Sequence, residues 1–578
     1  MLRGPDARLR LITVLLIAAL LPILGQLVRL QVLEHSQYLS EAEDLVQRQY
    51  ALPESPWGVI MDRNGDLLVG NVPVYDVGAE INMITDTHMA AATLAPLLNL
   101  PEAELVKMLT LPPNTQDLVW RPLTRHIPAA SAQKLIDLNW PWITLAPAWE
   151  RYYAEGALAS HVLGFVNAEG MGYGVQAFQL RFLRGERIAR VGSVSGDTSP
   201  MPDELMGGSL IPYPGTDLRL TIDRTIQAYI EGVLDQAIAD YKATGGTILV
   251  MDPRTGNILA VASRPHYEPY RYPEYAQNGQ DMLFRDPAIS VPYEPGSVLK
   301  VVTVAAALDS GRVDVNWSYN DTGQLEYGGV LIRNSSGGAY GQQDLQGILD
   351  HSLNVGVATL STRVMGADLF YKYIRAFGFG QVTGIEMTGE ACGLVHLPTD
   401  WDWSDSNLAT NPFGQGIAVT PLQMATAVCA IANDGVMMQP HIVAERRYPD
   451  GRLIPIPSNE LGRPISAQAA QLVAEMMAHS VETIAKEAQV PGYRVAGKSG
   501  TAQIPTTGGY DPQQVIVSYV GFGPLPDPQI VILVKIDRPD VPLSMRWGTQ
   551  IAAPVFQKVA ARLFTLLGIP PSNLRAGP

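Results

Sequence analysis

An α+β fold is what the sequence predicts, set behind a single apolar N-terminal segment and a separate intervening region. Three observations predict it. Two apolar runs, 247–252 and 257–263, are joined by Pro253-Arg-Thr-Gly256, the pattern of a hairpin. Three further strand-like runs, 495–503, 515–522 and 529–537, stand near the other end of the chain. Between the two sets lies a long, mostly helical stretch, so strands from distant parts of the chain must share one sheet.

Taken in order, the chain opens with Arg3, Arg8 and Arg10, and then runs uncharged over 11–28 with Thr13 and Gln26 as its polar interruptions. Such a run suits one spanning helix, and the preceding arginines place residues 1–10 in the cytoplasm. No small-x-small cleavage site follows, which favours a retained anchor at 11–30 over a cleaved signal peptide. A helix is expected to continue over 27–45. Residues 56–62 read as a strand entering a turn at Asn64-Gly65. No motif in 31–210 suggests chemistry of its own, so this region reads as a pedestal that spaces the next domain from the membrane. A linker around Pro212-Tyr-Pro-Gly215 leads to a strand at 217–222, and Ile226, Ile230, Val233, Leu234, Ala237 and Ile238 recur at helical spacing. An amphipathic helix over 551–567 closes the domain of 211–568, and Pro and Gly in 569–578 suggest a frayed tail.

Composition sets limits on function. A hydrophobic content of 47% with 17% charged residues describes a folded chain. The net charge of −15 argues against nucleic acid as a partner. Cys429 lies in an apolar run and Cys392 in a Gly-flanked loop, which makes neither a disulfide framework nor a metal site. No cofactor is implied.

The chemistry is concentrated in three short stretches. In Tyr293-Glu-Pro-Gly-Ser297-Val-Leu-Lys300, Pro295 and Gly296 end what precedes them and a helix-compatible run follows. Ser297 therefore stands at the first turn of a helix, with Lys300 on the same face. A hydroxyl needs a base to become a nucleophile, and a lysine serves only when burial or other cations depress its pKa. Helix-start N–H groups would favour a developing oxyanion. Ser-x-x-Lys alone is equally what a capped helix with a solvated lysine carries. Two other stretches single it out: Ser352-Leu-Asn354, in a bend between helical patterns, and Lys498-Ser-Gly-Thr501, which ends in small residues where something approaches the backbone closely.

Ser-x-x-Lys, Ser-x-Asn and Lys-(Thr/Ser)-Gly in this order resemble the signature of the penicillin-binding proteins and serine β-lactamases. Gly414-Gln-Gly416, Thr420-Pro-Leu-Gln423, Ala432-Asn433 and Gly435 resemble the segment before the third motif in class B penicillin-binding proteins. The stretch from Pro56 to Gly65 and Gly172-Tyr-Gly174-Val-Gln176 resemble that class's N-terminal motifs, with two departures. Trp57 stands where the family usually has arginine and Gln176 where it usually has glutamate, which puts a salt-bridge role for both in doubt. Ser499 replaces the commoner threonine and keeps the hydroxyl.

The resemblance implies a transpeptidase domain with an antiparallel sheet, flanking helices and a large helical subdomain, and it implies the reaction. Ser297 would attack the penultimate D-Ala carbonyl of a stem peptide ending in D-Ala-D-Ala, and Lys300 would take its proton. Ser352 would relay a proton to the leaving D-Ala, and Asn354 would hold Lys300 and the substrate amide. Lys498 would lower the Lys300 pKa and attract the terminal carboxylate, with Ser499, Gly500 and Thr501 binding substrate. Backbone N–H groups of Ser297 and Thr501 would form the oxyanion hole. An amine from a second stem peptide would resolve the acyl-enzyme, and β-lactams would inhibit by acylating Ser297. Glu294 is expected to make a turn or helix-start contact. The expected location is the cell membrane, single-pass, with the catalytic domain outside and a polytopic glycosyltransferase and division proteins as partners. Ser-Leu-Asn-Val-Gly356 and Phe377-Gly-Phe-Gly380 resemble the septal, division-type branch more than the elongation-type branch. A membrane-anchored β-lactamase would need a deacylating base, and a β-lactam sensor a cytoplasmic output domain. A bifunctional class A enzyme would need a glycosyltransferase domain, for which 31–210 is too short.

Overall fold

The structure, a computed structural model, describes residues 55–111, 119–185, 214–506 and 509–572 together with Gln26 and Arg29. Apart from Gln26 and Arg29, the expected anchor at 11–30 and the helix over 27–45 lie outside the described residues. No helix among the described residues is long and apolar enough to cross a membrane.

The described residues divide into two units. Residues 73–150 form the smaller one. In it, residues 74–80 of strand Leu67–Glu80 pair antiparallel with strand Trp120–Pro128, Val77 opposite Thr124 and Glu80 opposite Trp120. Helix Thr87–Leu98 starts where the Asp86 carboxylate accepts from Met89 N, satisfying one of the unpaired first-turn donors. Its Ala90, Ala91, Leu94 and Leu98 recur on one face and bury against Val77, Ile81, Leu105 and Leu135, a core of the unit's own.

The larger unit holds 56–72, 151–185 and the described residues from 214 onward. At its centre is a five-stranded antiparallel sheet in the order Ala496–Thr506, Gly509–Gly523, Ile530–Asp537, Gly245–Met251, Ile258–Arg264. The sequence expectation of one sheet assembled from both ends of the domain is met. Side chains alternate across it. Ile248, Val250, Ile532 and Val534 face a core closed by helices Arg224–Tyr241 and Gly548–Leu566. Leu249, Met251, Val531 and Leu533 face the larger core of Lys300–Asp309, Pro421–Ala432 and Ala467–Thr483. Helix Pro421–Ala432 opens with a capping box between Thr420 and Gln423 and is buried along its whole length. Cys429 is buried in it and Cys392 is exposed, as their sequence surroundings indicate. Residues 569–572 are docked, against the expectation of a frayed tail. Ile569 is buried, its carbonyl accepts from Tyr493 OH at 2.8 Å, and Ser572 Oγ accepts from Arg494 N at 2.9 Å.

A second sheet in this unit pairs Ile60–Met61 parallel to Asp217–Leu220, which in turn pairs antiparallel with Val443–Arg447. The turn after Met61 is built by Asp62, fully buried, whose carboxylate accepts from the N–H groups of Asn64, Asp66 and Arg224 at 2.7, 2.9 and 3.1 Å. Nearby, Arg151 explains both family departures. Its guanidinium lies 5.5 Å from the Trp57 ring centroid, and Nε donates to Gln176 Oε1 at 2.9 Å. Nη1 donates to Gly58 O and Asn71 Oδ1, each at 2.9 Å. Gln176 Nε2 donates to Gly164 O at 2.7 Å and to Tyr153 OH at 2.9 Å. A glutamate could accept from Arg151 Nε but could not donate to the Gly164 carbonyl, because an ionised carboxylate has no donor.

Gln176→Ala should therefore strand the charged Arg151 Nε in a buried site, while the Gly164 carbonyl keeps its bond from Tyr153 OH at 2.9 Å. The expected loss is about 3 kcal/mol of unfolding free energy, read from denaturant unfolding. A loss within the ~0.5 kcal/mol of a neutral surface substitution would contradict the assignment of Gln176 as the bridge.

Candidate active site

The nucleophile candidate sits where its sequence places it. Residues Gly296–Leu299 form a single 3₁₀ turn that runs into helix Lys300–Asp309. Gly296 adopts a left-handed φ of 57°, which favours glycine, and a Cβ there would stand 3.1 Å from Thr501 O. That turn presents Ser297 to a cleft of about 320 Å³, lined also by Asp350, Ser352, Lys498, Ser499 and Thr501.

Ser352 lies in the bend between helices Leu345–Asp350 and Asn354–Thr359, as expected, and holds a left-handed φ of 53°. That conformation costs a non-glycine residue on the order of 1–2 kcal/mol. It lets one residue offer both its carbonyl and its hydroxyl to the same lysine. Lys300 Nζ donates to Ser352 O at 2.5 Å, to Asn354 Oδ1 at 2.7 Å and to Ser352 Oγ at 3.2 Å. Lys498 Nζ donates to the same Ser352 Oγ at 3.0 Å and to Ser499 O at 3.2 Å. One hydroxyl thus stands between two amines.

Lys498 comes from edge strand Ala496–Thr506, held by pairing with Gly509–Gly523 in the register Lys498 opposite Val520 and Thr501 opposite Val517. Gly500 is the close approach that the sequence suggests. A Cβ there would meet Ser518 Oγ at 2.6 Å and Pro295 O at 2.8 Å. Thr501 Oγ1 accepts from Gly548 N at 3.0 Å, which ties the strand to the start of the last helix.

Both lysines are almost fully buried, 0% and 5% exposed, and burial disfavours their charged forms. For Lys300, burial first and the neighbouring Lys498 second hold the amine well below the usual lysine range. Burial pulls Lys498 down to about 8, against the opposing pull of the Asp350 carboxylate. Of the pair, Lys300 is therefore the amine held down by both burial and a neighbouring cation, and Lys498 the one with a carboxylate pulling the other way. A free amine beside a helix-start serine can accept a proton from it.

The structure brings Ser297, Ser352, Lys498, Ser499 and Thr501 to one cleft and bonds Lys300 and Asn354 to it through Ser352 and each other. No Ser297–Lys300 hydrogen bond is formed. Glu294 makes the structural contact expected of it. Its Oε1 accepts from Gly416 N at 2.9 Å and Tyr510 OH at 3.1 Å, clipping the Gly-Gln-Gly loop to the nucleophile turn. Asp350 belongs to none of the three motifs, yet it lines the cleft, and its carboxylate accepts from Ser480 Oγ at 2.5 Å and Gln346 Nε2 at 2.8 Å. An acidic residue at a helix end two positions before Ser352 was the signal available. Trp547, also on the cleft, had none.

The chain matches the family model described as the penicillin-binding protein transpeptidase domain over residues 246–561, and the penicillin-binding protein dimerisation domain over 54–181. It is 31% identical over 525 residues to stage V sporulation protein D of Bacillus subtilis, covering 89% of this chain and 79% of that one. It is 28% identical over 587 residues to peptidoglycan D,D-transpeptidase FtsI of Escherichia coli, covering 97% and 92%. Among solved structures, a peptidoglycan synthetase from Bifidobacterium adolescentis superimposes with a TM-score of 0.70 at 27% identity, covering 90% of this chain and 97% of that one. Penicillin-binding protein 3 of Mycobacterium tuberculosis complexed with ampicillin does so with a TM-score of 0.68 at 27% identity, covering 91% and 98%.

Because Lys498 holds the Lys300 amine down, removing its charge should let the Lys300 pKa rise. The base form would then appear only at higher pH. In Lys498→Met, the acid limb of the rate at which Ser297 is acylated by a β-lactam should move to higher pH by at least about one unit, the equivalent of 1.4 kcal/mol. A limb left in place would show that Lys498 does not tune this amine.

Proposed function

The chain belongs to the class B penicillin-binding protein transpeptidases, and from that premise we propose that it cross-links septal peptidoglycan through a Ser297 acyl-enzyme. It is a serine-type peptidoglycan D,D-transpeptidase. The observation that carries the residue roles is the buried Lys300 amine, held by Ser352 and Asn354 beside Lys498 in the cleft of Ser297.

The reaction runs in two halves. Ser297 Oγ attacks the carbonyl of the penultimate D-Ala while its proton passes to Lys300 Nζ. The oxyanion is received by the backbone N–H groups of Ser297 and Thr501, where charge that exists only in the transition state is stabilised. The Lys498 ammonium, with Ser499 and Thr501 hydroxyls, receives the donor's terminal carboxylate. Ser352 Oγ, which touches both amines, carries a proton to the departing D-Ala nitrogen, so the C–N bond breaks with a neutral leaving group. An acceptor amine then attacks the acyl-enzyme ester and gives its proton to Lys300, which passes one to Ser297 Oγ as the ester C–O bond breaks and the new amide is released. β-Lactams enter the first half and stall there.

Residues 11–30 are the proposed single-pass anchor, with residues 1–10 in the cytoplasm and 31–210 as the pedestal below the catalytic domain of 211–568. The proposed partners are a polytopic glycosyltransferase of the shape, elongation, division and sporulation family and the division proteins around it. The names of FtsI of Escherichia coli and PbpB of Mycobacterium tuberculosis support a class B assignment, and the Ser-Leu-Asn-Val-Gly356 and Phe-Gly-Phe-Gly380 stretches support the septal branch.

Full-length protein treated with benzylpenicillin should carry one covalent adduct, located on Ser297 by peptide mass spectrometry. Ser297→Ala should abolish it, and Lys300→Ala should slow its formation by at least the ~10²-fold of a lost general base. An adduct elsewhere would sink the assignment. The adduct's fate separates transfer from hydrolysis. It should persist for many turnovers of a stem-peptide thioester, whose consumption a D-amino acid should accelerate. Rapid catalytic loss of penicillin, indifferent to any amine, would instead identify a β-lactamase.

A further inference from the structure

The segment 318–344 carries a buried polar pair that the mechanism above does not use. Strands Ser318–Asp321 and Gly341–Asp344 pair antiparallel, as do Gln324–Tyr327 and Val330–Arg333. Asp321 and Asn334 lie 1% and 4% exposed among these short ladders. Asn334 Nδ2 donates to Asp321 Oδ2 at 2.8 Å and to Gly338 O at 3.2 Å. The same Asp321 oxygen accepts from Tyr340 N at 3.0 Å, and the Tyr319 hydroxyl faces the carboxylate.

The pair reaches the catalytic cluster through two adjacent bonds. Asn334 Oδ1 accepts from Val355 N at 3.1 Å, one of the first-turn donors that helix Asn354–Thr359 cannot satisfy internally. One residue back on each side, Asn354 Nδ2 donates to Arg333 O at 2.9 Å. A side-chain amide has one donor end and one acceptor end. With its NH₂ fixed on Arg333 O, Asn354 can only present Oδ1 to Lys300 Nζ, 2.7 Å away. Were the 333–334 backbone free to shift, that orientation would be lost.

We infer that Asp321 and Asn334 are positioning residues for the Lys300 base, locking residues 333–334 onto the start of helix Asn354–Thr359 so that the Asn354 carbonyl stays on Lys300. The inference rests on the proposed role of Lys300. Four requirements meet in Asn334: a donor for the Asp321 carboxylate, an acceptor for Val355 N, a short side chain, and near-complete burial. No hydrophobic or single-function polar residue supplies all four. An asparagine needing both ends at once is a device for orientation, not a generic core filler.

The test compares Asn334→Ala, Asp321→Ala and the reciprocal exchange of Asn334→Asp with Asp321→Asn in full-length protein. The two alanine variants cut the pair from opposite ends, so either one suffices should the other fail to fold. The exchange keeps one amide, one carboxylate and an acceptor for Val355 N. The readouts are the second-order rate of Ser297 acylation by benzylpenicillin, its pH profile, and the thermal midpoint. Each alanine variant should slow acylation between about tenfold and a hundredfold, the scale of a base displaced by a fraction of an ångström to 1 Å. Asn354 Oδ1 accepts from Lys300 and so favours its charged form; loosening it should move the acid limb to lower pH. Lys498, from the opposite strand, is the charged group acting on Lys300 and is unchanged in every variant. The exchange should restore both rate and limb. Folded alanine variants with wild-type rate and limb, or a slow rate with an unmoved limb that merely follows the thermal midpoint, would overturn the inference and leave the proposed function standing. Wild-type protein that takes no label on Ser297 would overturn both.

Discussion

Two amines bonded to one serine hydroxyl, inside protein, cannot both be ammonium without cost. Lys300 and Lys498 reach Ser352 Oγ at 3.2 and 3.0 Å. Burial penalises both charges. Two unit charges no more than ~6 Å apart add a repulsion of roughly 3 kcal/mol at an effective dielectric of about 20, worth about two pKa units. The amine with the better counter-charge keeps the proton, and that is Lys498, on which the Asp350 carboxylate acts. Lys300 is left as the amine. In the proposed mechanism its neutrality would make the helix-start Ser297 a nucleophile, and the surrounding fold can be read as the means of keeping these two side chains buried, close and unequal.

The sheet and its helices do this from opposite sides. Lys498 is fixed by an edge strand in unbroken register with its neighbour from Ala496 to Gln503, and Gly500 lets that strand lie so close to Pro295 that a Cβ would stand 2.8 Å from its carbonyl oxygen. Lys300 is fixed by a buried apolar helix, so its position follows from the packing of Val301, Val302, Val304 and Ala305. Ser352 takes a left-handed conformation at a cost, and the cost is tolerated because the helices on either side over-determine it. Clips at the periphery hold the frame. Glu294 joins the nucleophile turn to Gly416, and Asp62 joins a short strand to the first helix of the catalytic domain.

Much of this was legible in the sequence because the chemistry is written in short local patterns. Ser297, Lys300, Ser352, Asn354 and Lys498 fall in three stretches whose spacing alone places them on a helix start, a bend and a strand. The strands at both ends of the domain followed from apolar runs and turn residues. What stayed hidden is long-range. Asn334 is an unremarked asparagine until the chain folds and Val355 arrives at its oxygen. Gln176 reads as a lost charge, whereas its amide accepts from Arg151 and donates to Gly164 O and Tyr153 OH at once, a set of partners that no local pattern announces. Residues 569–572 read as tail because Pro570 and Pro571 open a stretch that ends in Gly577-Pro578, while Ile569 packs into the core and Ser572 bonds to Arg494 N.

The protonation state of Lys300 is the point on which everything else turns, and it can be observed without any substrate. Lysine-selective isotopic labelling, with Lys300→Arg used to assign the signal, allows the Nζ resonance to be followed by NMR as pH is raised. The account predicts the chemical shift of a neutral amine at pH 7, with Lys498 titrating separately at higher pH, near 8. An ammonium signal for Lys300 that persists through pH 9, with Lys498 losing its proton first, would contradict it.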